Sequence, residues 1–158
     1  MIRPLHDPAA EQDFARHEHR ELGPWLDRIH DVGCDVGRQP ASEVAVSLHR
    51  VVSWLQHDLE DHAAWEEAWL YPEIDEHART PWATRTMRFE HGQIRAAVRT
   101  LAADASLLSH ELRPTQVDEL RSRIFGLEAV LRAHLEIEDR ILLPFLSEDV
   151  TFEPAPGR

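Results

Sequence analysis

HAAWEEAWLYP at residues 62–72 and HLEIEDRILLP at residues 134–144 are the two stretches whose comparison decides the fold. Each places a histidine four residues ahead of a glutamate, His62 before Glu66 and His134 before Glu138, and each closes on a proline. A spacing of four puts both side chains on one face of a helix. The shift relating the stretches is 72 residues, and it carries further. Glu18-His19 falls on Glu90-His91, Leu48 on Leu120, Val52 on Ile124, Leu55 on Leu127 and Leu59 on Leu131. Agreement of the polar matches with the apolar register and the closing prolines marks an internal two-fold repeat.

Outward from these stretches, apolar residues step by three or four and turn residues punctuate them. A first helical segment opens at Asp7-Pro8, contains Pro24 as a kink, and stops at Gly33. A second follows Pro40, with Ser42 as its cap, and reaches Tyr71-Pro72; the acidic run Glu73–Glu76 then reads as a solvated helix end. A third opens at Thr80-Pro81 and fades near His110–Leu112. The fourth follows Arg113-Pro114, with Thr115 and Asp118 as a capping-box-like start, and ends at Leu143-Pro144. No stretch alternates apolar and polar residues for long. The expectation is an all-α, antiparallel up-down-up-down four-helix bundle over residues 1–146, followed by a loose tail over 147–158.

In that register His62 continues the stripe of Leu48, Val52, Leu55 and Leu59, and His134 continues Leu127 and Leu131. Imidazoles and carboxylates aimed into a core are costly unless something compensates them. A di- or trivalent cation does so. Mixed nitrogen and carboxylate donors suit iron, manganese or zinc, and two bridging carboxylates would hold a pair of ions. Helical rise brings His91 and His134 back to one height across a hairpin. Of the other histidines, His17, His30, His49, His57, His77 and His110 read as solvated and His6 as part of the start. Asp58, Glu18, Glu67 and Glu90 read either as exposed charges or as groups orienting a ligand, and Trp65 and Trp69 as packing residues.

Composition narrows the function. The 158 residues carry a formal net charge of −12, so the basic footprint of a nucleic-acid binder or of a protein drawn to anionic membrane surfaces is missing. No run of about 18 apolar residues is present to span a bilayer. The opening MIRPLHDPAAEQDF lacks the apolar core of a secretory signal, and one cysteine, Cys34, agrees with a reducing cytoplasm. Eleven histidines, scattered along the chain, turn attention to metal.

The chain resembles the hemerythrin-like family (HHE cation-binding domains) through EHREL at 18–22, HAAWEEAWLYP at 62–72, EHGQI at 90–94 and HLEIEDRILLP at 134–144. The resemblance spans nearly the whole chain. It implies a non-heme di-iron centre bridged by carboxylates and a solvent-derived oxo or hydroxo group. The ligands it implies are His19, His62, His91 and His134, with Glu66 and Glu138 as bridges. Two positions depart from the oxygen-carrying members. Met87 stands where those have a further histidine, and Asp139 occupies the position of their final aspartate, making it a rival to Glu138. Fewer histidines imply more open positions on the metal. The expected role is therefore binding or sensing of oxygen, peroxide or nitric oxide, with an unidentified redox partner. Two other readings stand beside it: an enzyme of oxidative or nitrosative stress defence, removing peroxide or repairing iron centres, and a zinc-bound or metal-free helical interaction module.

Overall fold

The computed structural model describes residues 8–108 and 111–146. His6, His110, the Asp7 cap and the tail from Ser147 onward lie outside these residues. All regular structure among the described residues is helical. Four long helical runs are formed by α1 (Pro8–Asp35), by α2 (Ala41–Gln56) with α3 (Asp58–Trp65), by α5 (Arg85–Leu107) and by α6 (Pro114–Ile137). A π-helix over Glu66–Leu70 and α4 (Tyr71–His77) extend the second run. A π-helix over Glu138–Leu142 and a 3-10 turn over Leu143–Leu146 extend the last. α1 lies against α2 and α6, and α5 lies against the same two helices.

Contacts between the runs pair rising numbers with falling ones. Along α1 and α6, His19 meets Asp139, Asp27 meets Arg132 and His30 meets Glu128. Phe14 packs on Trp65, His19 on His62 and Trp25 on Trp54. Glu90 meets His134 and Asp104 meets Arg123.

Several boundaries differ from those expected. Gly33 does not end α1, which runs through it to Asp35. A Cβ at Gly33 would lie 2.7 Å from Cε1 of Phe125, so this glycine serves close packing on α6. The turn falls instead at Gly37, whose φ of +78° suits a residue without a Cβ. Ser42 lies inside α2; Pro40 holds the cap position and its carbonyl accepts from Glu43 and Val44. At the start of α6 the side chain of Gln116, rather than Thr115 or Asp118, accepts the Arg113 amide at 3.1 Å.

Pro72 does not end the second run, because its missing N–H falls in the first turn of α4, where no partner is needed. Within the acidic run that follows, Glu73 is buried, and Asp75 takes the Thr84 amide at 3.0 Å and its hydroxyl at 3.1 Å. That contact fixes the start of α5 at Arg85, four residues beyond Pro81. Trp65 is half-buried, but Trp69 is exposed.

The two π-helices obey the repeat. Tyr71 N–H donates to the Glu66 carbonyl and Leu143 N–H to that of Glu138, each across five residues. Pro72 and Pro144 follow directly. A proline ring excludes the carbonyl four residues back, and a widened turn accommodates it.

Two apolar clusters fill the interior. The larger gathers Ile29, Leu48, Leu101, Ile124, Leu131 and their neighbours; the smaller gathers Ala15, Leu70, Tyr71, Ile74, Met87, Leu142, Leu143 and Leu146. Each fully buried aliphatic side chain contributes about 1.5–3 kcal/mol. His19 falls between Ala15 and Leu22, and His91 between Met87 and Ile94, so the polar residues form a layer separating the clusters.

Candidate metal centre

His19, His62, Glu66, His91, His134 and Glu138 are all buried, at 6% exposure or less, and the four helical runs bring them together. Their donor atoms form two groups, each drawn together within 4.8 Å: His19, His62 and Glu66 in one, and Glu66, His91, His134 and Glu138 in the other. Glu66 belongs to both. Its Oε1 lies 3.0 Å from His62 Nε2 and 3.4 Å from His19 Nε2, while Oε2 lies 3.3 Å from His91 Nε2. Glu138 spans the same divide: Oε1 is 3.4 Å from His134 Nε2 and Oε2 is 3.6 Å from His19 Nε2.

The outer ring nitrogens explain why the inner ones face inward. His19 Nδ1 donates to Asp139 at 2.8 Å, His91 Nδ1 to Glu67 at 2.8 Å and His134 Nδ1 to Glu90 at 2.9 Å. A carboxylate on Nδ1 fixes the tautomer that leaves the Nε2 lone pair free for a cation. Arg95 holds Glu67 in turn, at 2.8 Å, and also bonds Glu60. His62 differs: among the described residues its Nδ1 has no hydrogen-bond partner. Asp58 is exposed, and Glu18, which the repeat sets opposite Glu90, is half-buried.

Electrostatics within the cluster are strained. Burial alone would raise the Glu66 carboxyl, but the imidazoles of His19, His62 and His91 beside it outweigh this and hold it well below the usual range. Glu138 is pushed well above that range by burial and by the charge of Glu66. Burial lowers His134, and the neighbouring His91 adds to this. For His19, burial is overcome by Glu66 and Asp139, so the group is raised.

The donor chemistry fits cations. His91 Nε2 and His134 Nε2 stand 3.0 Å apart, with both Nδ1 atoms engaged on carboxylates. Two lone pairs so placed repel unless a proton or a metal lies between them. His62 Nε2 and Glu138 Oε2 are buried and lack an aligned hydrogen bond among the described residues, although Glu66 Oε1 lies 3.0 Å from the first and His19 Nε2 3.6 Å from the second. Leaving such groups unsatisfied costs about 1–3 kcal/mol each, a cost that coordination removes.

Tyr71 was not singled out by its sequence. Its phenol is fully buried, donates to Glu138 Oε1, and lies 3.2 Å from His91 Nε2 and 3.5 Å from Glu66 Oε2. Burial and the two carboxylates push its ionisation far upward. The signal was present as a break in the repeat, since Leu143 occupies the matching position. Asp139, 42% exposed in its side chain, contacts His19 through the outer nitrogen. Met87 is buried in the smaller cluster and contributes no nitrogen.

Comparison with known proteins agrees with this geometry. A family model described as the hemerythrin HHE cation binding domain matches residues 10–146. No curated protein and no solved structure matched the chain.

Proposed function

Because the chain belongs to the hemerythrin HHE cation-binding family, we propose that it is a non-heme di-iron protein that binds or senses oxygen, peroxide or nitric oxide. One observation carries this reading: two buried donor groups overlap at Glu66, and Glu138 reaches across the same divide. A single group would suit one cation, whereas two groups joined through carboxylates suit a pair. We assign His19, His62, Glu66, His91, His134 and Glu138 as the ligands, with Glu66 and Glu138 shared.

The scaffold in this reading is an antiparallel up-down-up-down bundle with an internal two-fold repeat. Contacts that pair rising with falling numbers support it, as does the recurrence of the π-helix 72 residues on. A reducing compartment such as the cytoplasm suits the single cysteine. No helix among the described residues is long and apolar enough to cross a membrane.

Bound iron would supply electrons and open coordination positions for a small ligand. The protein's own residues do the rest. Asp139, Glu67 and Glu90 fix three imidazoles, so little reorganisation accompanies ligand binding. Tyr71 holds one oxygen of Glu138 and keeps a proton inside the site. The apolar clusters flank the polar layer on either side. Met87, in place of a nitrogen donor, leaves the centre with fewer protein ligands than the oxygen carriers have, which favours chemistry or sensing over simple carriage.

Elemental analysis of protein purified from its own host tests the reading, with two irons per chain expected. Oxygen added anaerobically to the ferrous protein should produce a new charge-transfer absorption. Zinc in place of iron, or an unchanged spectrum, would overturn it.

A further inference from the structure

A cavity of about 310 Å³ runs along the second, third and fourth helical runs and ends on His62, Glu66, His91 and His134. Its walls are the buried side chains of Leu59, Ala63, Ile94, Val98, Leu131 and Leu135. Its mouth is formed by Gln56, Glu60, Arg95 and Arg99, the lining residues that retain solvent exposure. A diatomic gas needs a passage little wider than a water molecule, whose share of liquid volume is about 30 Å³. This cavity, part of which is the space beside His62, Glu66, His91 and His134, falls at the lower end of the range of about 300–1,000 Å³ that organic ligands occupy. Helical cores otherwise keep few voids larger than water.

We propose that the cavity takes an uncharged organic hydroperoxide of about ten non-hydrogen atoms, its peroxide end toward His62 and His134 and its hydrocarbon body against the leucines. The inference rests on the metal-centre reading for the role of the peroxide end. Of the two arginines at the mouth, Arg95 is neutralised and Arg99 is exposed to water, so neither presents a buried cation to an anionic ligand. Arg95 is spent on Glu60, at 2.8 Å and 3.0 Å, and on Glu67, at 2.8 Å, so it offers no free cation to an acid. The chain's net charge of −12 also disfavours anions. The aliphatic walls supply burial for a hydrocarbon body and no hydrogen bond to a second polar group.

The test uses 2-phenyl-2-propanol, an unreactive alcohol with the body of such a hydroperoxide, titrated calorimetrically into the full-length iron-loaded protein. Saturable binding at one site per chain is expected. Val98→Phe and, separately, Ala63→Leu should each weaken it by at least about tenfold, as added bulk fills the walls. Iron content and melting temperature, measured on the same samples, identify a variant that has merely failed to fold. Absence of saturable binding in the unaltered protein would overturn the proposal. So would unchanged affinity in both variants when they are folded. Protein that holds two irons yet ignores the alcohol loses this substrate class and keeps the metal centre. Protein that binds the alcohol without iron supports the cavity and overturns the di-iron reading.

Discussion

Asp139 accepts the Nδ1 proton of His19 at 2.8 Å, and the repeat-related pair, Glu67 and His91, makes the same bond at the same distance. Each pair joins one half of the chain to the other. The halves therefore aim each other's imidazoles, and neither would build its share of the centre alone.

Asp139→Asn should keep the fold and weaken iron binding by about 10- to 100-fold, the usual effect of losing a carboxylate behind a ligating histidine. Competition with a chelator measures it. Complete loss of iron would instead mark Asp139 as a direct ligand.

Glu66→Ala should empty both positions, because both donor groups contain this carboxylate. Glu67→Ala, one residue on, should leave most of the iron in place and affect only how tightly it is held. Iron per chain, compared between the two variants, decides the assignment.

Tyr71→Phe removes the donor to Glu138 Oε1 without opening a cavity. Metal-free protein should lose about 1–3 kcal/mol of stability, the cost of a buried acceptor left without its partner. Urea unfolding would show it. An unchanged midpoint would mean that Glu138 finds another donor.

Much of this arrangement was legible in the sequence. The 72-residue shift named all six polar residues that meet in the core, since periodicity reports which face a residue takes. Helix ends were less legible. Gly33 reads as a stop, yet its cause lies in Phe125, far along the chain, and no local pattern carries that information. Pro72 reads as a terminus, but a proline is also at home in a first helical turn. The sequence does not mark Tyr71, because a tyrosine among apolar neighbours has the same spacing as a packing residue. Only the fold shows where its hydroxyl points.

Gly37→Ala should destabilise the protein by about 1–2 kcal/mol, because a Cβ at φ +78° meets its own backbone. The added carbon would also lie 2.7 Å from Val117. Melting temperature should fall by roughly 2–8 °C at this chain length, with iron content unaffected. A melting point equal to that of the unaltered protein would contradict the strain described at this turn.

Chelation of the cations should lower the melting temperature, because metal binds the folded chain and its preformed donors in preference to the unfolded one. Restoring ferrous iron should recover the original value. Calorimetry with and without chelator makes the comparison, and equal melting points would separate the cluster from any role in stability.

His62 also departs from the repeat, its outer nitrogen held by no neighbour among the described residues. Its ring is also part of the cavity that opens to solvent beside Gln56 and Arg99. The two donor groups are thus unequal: three imidazoles are held at Nδ1 by carboxylates, and the fourth is not. A guest molecule entering by that mouth would meet His62, the one imidazole of the four without a carboxylate behind it. A copied half-structure has in this way acquired a front door and a back wall.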